Sequence, residues 1–256
     1  MIVEVRSEKE IEFMRKSGQI SAKALKNCVE ACVVGANLLD IEKIAMETIL
    51  RQGGKPSFTT VGDYKWATCL TVNEQLVHGI PKDRVLKIGD LISIDVGAIY
   101  EGWHTDTAWS VVVEETKRQA DKEKERFLEV GEEALWRGIK QAIDGNFIGD
   151  ISAAIQETVE KAGFDVSKTL IGHGVGREIH EPPDVPGVGR KGMGLQLQKG
   201  MSLAIEVIYA EKKADVFLED DGWTYTNKDK SWGGLFEMSV IVGEKQAEVL
   251  TDWRKV

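Results

Sequence analysis

The segment Gly35-Ala-Asn-Leu-Leu-Asp40-Ile41-Glu-Lys-Ile-Ala-Met-Glu47-Thr48-Ile-Leu-Arg-Gln-Gly53 returns 110 residues later as Gly145-Asn-Phe-Ile-Gly-Asp150-Ile151-Ser-Ala-Ala-Ile-Gln-Glu157-Thr158-Val-Glu-Lys-Ala-Gly163. In both copies apolar residues recur at helical spacing and a glycine follows the last of them. Each copy therefore reads as a helix, about Leu38 to Gln52 and about Ile148 to Ala162. With one residue of slip, Leu86, Gly89, Ile94, Asp95 and Val96 recur as Leu197, Gly200, Ile205, Glu206 and Val207. The chain is two versions of one unit, and each version sets an acid at the same point of an apolar strand. The expectation is a site on a pseudo-two-fold axis, where both halves grip a shared cation.

Outward from the repeat, each half gains a second helix and strands. Ser7 and Glu10 form a capping-box pattern. Met14, Gly18, Ser21, Leu25, Cys28 and Cys32 follow at helical spacing, and the second half answers with a helix from about Asp121 to Ile143. Strands are expected at Trp66–Val72, Leu91–Ile99, Trp103–Val113, Met201–Ala210 and Leu235–Gly243. Pro182, Pro183 and Pro186, with the glycines at 187, 189, 192 and 194, read as one long irregular loop. The densely charged stretch from Glu114 to Arg126 reads as a solvated crossover, with the boundary between halves near 114–120. The resulting fold class is α/β (α+β). One catalytic domain spanning 1–256 holds two pseudo-two-fold-related halves, with helices outside a curved antiparallel sheet.

Composition narrows the function. A chain of 256 residues with 42% hydrophobic and 29% charged residues can bury a large core. A net charge of −9 speaks against a general nucleic-acid surface. No apolar run approaches the ~20 residues that span a bilayer, and the N-terminus, with Glu4, Arg6, Glu8 and Lys9, lacks a secretory pattern. Three cysteines, Cys28, Cys32 and Cys69, do not make a disulfide framework. A cytoplasmic protein without membrane attachment is expected, and with no exposed heptad or apolar stripe, a monomer.

The acids carry the chemistry. Asp95, Glu206 and Glu237 each stand inside an apolar strand that contains no Lys or Arg. A buried carboxylate without a partner costs several kcal/mol, so each must face water, meet a distant base or share a cation. A hairpin turn at Tyr100-Glu101-Gly102 puts Asp95 and Asp106 on one face, opposite or diagonal to each other. Like charges that close repel unless a cation lies between them. His104 would share that face, as a ligand or as a rim histidine. The glycine-rich segment Gly172-His173-Gly-Val-Gly176 offers an imidazole, and His180 follows it. Four carboxylates and one imidazole suit hard or borderline divalent ions such as Mn, Fe or Co. Two such ions ~3.5–4 Å apart are the usual device for hydrolysing amides and phosphoesters.

These residues resemble a known family. Asn73-Glu-Gln-Leu-Val-His78-Gly-Ile-Pro81, Ser93-Ile-Asp95-Val-Gly97, Gly102-Trp-His-Thr-Asp106-Thr107, Gly172-His173-Gly-Val-Gly176, Ile205-Glu206 and Phe236-Glu237 are similar, in order and spacing, to the signatures of type I methionine aminopeptidases, from about Val3 to Asp252. The resemblance implies the pita-bread fold around two divalent metal ions, Co, Mn, Fe or similar. It implies Asp95, Asp106, His173, Glu206 and Glu237 as metal ligands, Asp106 and Glu237 bridging. Glu206 would double as the proton shuttle, and His78 and His180 would act on the scissile amide and its oxygen. Tyr64, Cys69 and Trp223 fall where the family lines its methionine pocket, with core packing as the plain alternative. The implied reaction is hydrolysis of the first peptide bond, removing initiator methionine from nascent chains whose second residue is small. Docking at the ribosome is left open.

The chain departs from the family at Val207, where Pro is usual, at Met238, where His is usual, and at Ile179, where an aromatic residue is common. The segment Phe58–Trp66 also follows its own wording. Two further readings are a Xaa-Pro aminopeptidase or dipeptidase of the same fold, which usually carries an extra N-terminal domain, and a non-catalytic binding protein, whose mark would be a missing ligand. A dinuclear phosphoesterase is a weaker alternative on chemistry alone.

Overall fold

The repeat becomes two like units in the computed structural model, which describes residues 3–114 and 121–256. The first unit holds α1 (Glu8–Ala31), α2 (Leu38–Arg51), β1 (Lys55–Pro56), β2 (Thr68–Val72), β3 (Gln75–Val77), β4 (Leu91–Tyr100) and β5 (Trp103–Val112). The second holds α3 (Lys122–Ile139), α4 (Ile148–Lys161), β6 (Asp165–Val166), β7 (Gly172–Gly174), β8 (Glu181–Val185), β9 (Ser202–Ala210), β10 (Val216–Leu218), β11 (Tyr225–Asn227), β12 (Gly233–Ile241) and β13 (Glu248–Val249). The repeated glycines are part of the reason for the likeness. Gly35 and Gly145 sit at φ +86° and +88°, a backbone region that side chains disfavour, and each donates its amide to the matching leucine, Leu86 or Leu197.

The main sheet runs β1-β4-β5-β12-β9-β7-β8, with β2 beside β4, β6 beside β9 and β13 beside β12. Its strand pairings are antiparallel. The helices cover one face, α1 on β4 and β5, α3 on β9 and β12. Ile94, Val96, Ile205, Val207, Phe236 and Met238 pack into that helix-covered core with Leu25 of α1 and Leu135 of α3. Each such side chain contributes about 1.5–3 kcal/mol by burial. A one-residue slip of any of these strands would turn its apolar set outward and its acid inward, so the register is strongly held.

That register builds two rows on the other face. In the first, Asp95 lies opposite Ala108, Ala108 opposite Glu237, and Glu237 opposite Glu206. In the second, Gly97 lies opposite Asp106, and across the centre Ser239 lies opposite Ala204, which lies opposite His173. The Asp106 amide donates to Ser239 Oγ at 2.8 Å, and that hydroxyl donates back to the Asp106 carbonyl at 2.8 Å. Asp95 and Asp106 are therefore diagonal neighbours. Glu101 and Gly102, at φ +50° and +78°, make the tight turn between them.

The structure corrects several expectations. The helix that starts after the Asp121 cap ends at Ile139, not Ile143, because Gln141 and Ala142 donate to Gly138 and Ile139, three residues back, and tighten the chain out of the helix. The proline-rich loop is broken by β8, which tolerates Pro182 and Pro183 because it closes one end of the sheet and needs few amide donors. A small sheet, β10-β11-β3, was not anticipated. Of the expected crossover, 115–120 lie outside the described residues, and Lys122–Arg126 already belong to α3.

Candidate metal centre and its pocket

Asp95 and Asp106, one on each strand of the first hairpin, meet Glu237 of β12 and Glu206 of β9 because the rows converge at the β5–β12 seam. His173 arrives from β7. Asp106 is 4% exposed and Glu237 3%. Carboxylate oxygens of Asp106 and Glu237 and a ring nitrogen of His173 all lie within 4.8 Å of one another. His173 Nδ1 lies 2.9 Å from the Gly174 carbonyl, so Nδ1 carries the proton and donates it there. Nε2 is left as the free lone pair, 4.0 Å from Asp106 Oδ2. The Thr107 amide donates to Asp106 Oδ1 at 3.0 Å.

Two carboxylate oxygens in this cluster, Asp95 Oδ1 and Glu237 Oε1, are buried without any hydrogen-bond partner. Without a cation the acids resist ionisation. Burial, with the Asp106 charge next in importance, raises Asp95 and Glu237 well above the carboxylate range, and burial raises Asp106 to about 7 and Glu206 to about 8. Burial first, and then His180, pushes His173 down to about 3. Unpartnered carboxyl oxygens beside a neutral imidazole suit a site for hard divalent cations, whose binding would displace the protons.

The cluster opens into a cavity of about 260 Å³. His78, His180, Tyr64, Cys69 and Trp223 line it together with the five candidate ligands. His78 follows β3 in a left-handed conformation, φ +58°. It lies edge-on to Tyr225, and burial, then His180, lowers it to about 4. His180 stands at the exposed rim with its ring 4.5 Å from that of His173. Tyr64 packs edge-on against Trp66 and Trp223, with ring centroids 5.2 and 5.0 Å away.

Sequence reasoning did not find Phe58, Val61, Val77 and Ile208, which also line the cavity. Phe58 and Val61 lie in the segment that departs from the family wording, which was the available signal. Val77 and Ile208 read as ordinary strand residues and carried none. His104 is neither ligand nor rim: it is buried, its Nδ1 lies 2.6 Å from Ser57 Oγ, and it does not line the cavity. The three departures lie behind the site. Val207 and Met238 face the helix-covered core, and Ile179 packs with the cluster that includes Ile11, Met14 and Trp103.

Residues 12–235 match Metallopeptidase family M24. The methionine aminopeptidase of Clostridium acetobutylicum is 36% identical over 248 residues, covering 96% of this chain and 98% of that one. A crystal structure of the methionine aminopeptidase from Thermotoga maritima superposes with a TM-score of 0.94 at 41% identity, over 98% of this chain and 99% of the other. A prolidase from Pyrococcus furiosus has the same fold, with a TM-score of 0.75 at 24% identity, but this chain spans only 65% of it. The chain belongs to metallopeptidase family M24, built on the pita-bread fold. Its full-length likeness to methionine aminopeptidases places it in that branch, whose chemistry is metal-dependent removal of an N-terminal methionine. Among the described residues no helix is long and apolar enough to cross a membrane.

Proposed function

We propose that Asp95, Asp106, His173, Glu206 and Glu237 would hold two divalent ions, Mn, Fe or Co. There the chain cleaves initiator methionine from nascent polypeptides with a small second residue. The observation that carries this is the pair of orphaned oxygens, Asp95 Oδ1 and Glu237 Oε1, on acids that line a partly apolar cavity. When bound, the ions supply Lewis acidity and an activated water.

The chain's own groups do the rest. Tyr64, Cys69 and Trp223 give the methionine side chain a partly aromatic wall, which suits an unbranched thioether. Burial holds Cys69 as a thiol, so the wall adds no charge. Glu206 accepts a proton at its carboxylate and passes it to the departing amine. His78, neutral in its buried position, meets the scissile nitrogen, and His180 donates to the oxygen that gains charge. A monomer acting in the cytoplasm, where nascent chains emerge, fits this substrate.

The test is methionine release from Met-Ala-Ser, with Ala-Pro and acetyl-Met-Ala as controls, on metal-stripped protein and after restoring Mn, Fe or Co. Release from Met-Ala-Ser alone, and only with metal, is expected. Cleavage of Ala-Pro instead would move the chain to proline-directed substrates.

A further inference from the structure

Glu42 is a buried acid that the chemistry above does not use. It lies on α2, outside the acid cluster, with 9% of its surface exposed. Its Oε1 accepts from the Ala67 amide at 2.8 Å, and its Oε2 accepts from the Thr68 amide at 2.9 Å and the Thr68 hydroxyl at 2.5 Å. Among the described residues no cation pairs with it; its donors are at the entry to β2.

That entry is the wall of the pocket. β2 has β4 on one side, with Cys69 opposite Asp95. Main-chain groups alternate sides along a strand, so those of Thr68 and Leu70 point away from β4. Leu70 gives its amide to the Gly79 carbonyl at 2.8 Å. Thr68 gives its amide to Glu42, and its carbonyl accepts from Tyr64 Oη at 2.8 Å. Glu42 thus stands in for a missing neighbour strand at the point where the chain passes from Tyr64 to Cys69. In the other half Ser152, which the repeat aligns with Glu42, instead donates to Ile148 of its own helix at 3.1 Å.

We infer that Glu42 is a positioning residue for methionine selectivity, holding the Tyr64–Cys69 wall at the spacing that fits an unbranched side chain. The inference rests on the pocket assignment proposed above. Replacing the carboxylate by an amide puts an NH2 group against one of its donors while keeping shape and volume, so Glu42→Gln loosens the wall without emptying the site.

The experiment compares wild type and Glu42→Gln on Met-Ala-Ser and Leu-Ala-Ser, with metal content measured on both. The expected result is a KM for Met-Ala-Ser raised about fivefold, and a methionine-over-leucine preference in kcat/KM reduced about tenfold, at equal metal content. A merely structural role would lower kcat for both peptides by the same factor and leave KM and the preference unchanged, which would overturn the inference. If Glu42→Gln does not fold, Thr68→Val removes only the hydroxyl donor. It should move the preference in the same direction by about twofold to threefold, and an unchanged preference would again overturn the inference. Wild type that releases no methionine would instead defeat the functional reading itself.

Discussion

In the first half the strand beside β4 is β2, and its residue opposite Ser93 is Thr71; in the second half the equivalent strand beside β9 is β7, and its residue opposite Ala204 is His173. The same two-fold carries Ala108 onto Glu237 and Leu235 onto Asp106. Only Asp95 and Glu206 match as acids. Where the two central strands are joined, the symmetry is kept. Ser110 bonds both the amide and the carbonyl of Leu235, at 2.9 and 2.8 Å, as Ser239 does for Asp106. Groups that tie β5 to β12 obey the two-fold, and groups that meet in the cavity break it. The difference locates the chemistry without reference to any relative: a duplicated frame holds the sheet, and unpaired substitutions on one face make it a site.

The largest effect should come from restoring symmetry at the seam. Glu237→Ala gives the second half the residue that the first half has at Ala108. Activity should fall at least about a thousandfold, with weaker metal binding. The metal-free variant should nevertheless melt no lower than metal-free wild type, because a buried carboxylate with an orphaned oxygen has been removed. The pH dependence carries the same sign. Asp106 and Glu206, at about 7 and about 8 in the fold against ordinary values of 3.8 and 4.5, keep protons that the unfolded chain releases. Their contribution is full below the ordinary values and is lost as pH rises through the folded ones. Metal-free wild type should therefore melt progressively lower from about pH 4.5 to about pH 8, more steeply than Glu237→Ala. Stability that rose over that window would contradict the buried-acid account.

A smaller loss is expected from the two histidines that have no place in the paired rows. His78→Ala and His180→Ala should each lower kcat by about a hundredfold, with metal content nearly intact. If either variant emptied the site of metal, the division between ligands and accessory groups would be wrong. Smaller again is the exchange within the matched pair. Asp95→Glu and Glu206→Asp each shift a carboxylate by one methylene on an unchanged strand, and about tenfold to a hundredfold should be lost in kcat/KM. Full activity after both exchanges would mean that the pair is interchangeable and that the two halves differ only at Asp106, Glu237 and His173.

The legible parts of the molecule were those with a period or an anomaly. The helices α2 and α4 and the strands β4, β5, β9 and β12 have observed limits within two residues of those read from the sequence. The acids stood out because a carboxylate inside an apolar strand needs an explanation. What stayed hidden depends on partners far away in the chain. β3, β10 and β11 are three residues each, too short to show a period. His104 looked free until Ser57 was brought to it. Glu42 reads as one more charge on an amphipathic helix, and only the fold shows that its face meets the start of β2. Such long-range hydrogen bonds leave no local mark, so the candidate pocket wall was harder to read than the cluster of acids.

Met238→His tests the comparison where the least change is expected. Met238 follows Glu237 and so points to the opposite face, among buried residues that include Ile205 and Val240. An imidazole there loses apolar contact and finds no evident partner, which costs about 1–3 kcal/mol and lowers the melting temperature. It does not reach the cavity, so metal content should be unchanged and kcat/KM should stay within about threefold. A gain or loss of bound metal would mean that residue 238, not 237, faces the seam. In a strand of period two that is a register shift of one, and it would move Glu237 into the core, separate it from Glu206, and remove the row on which the site depends.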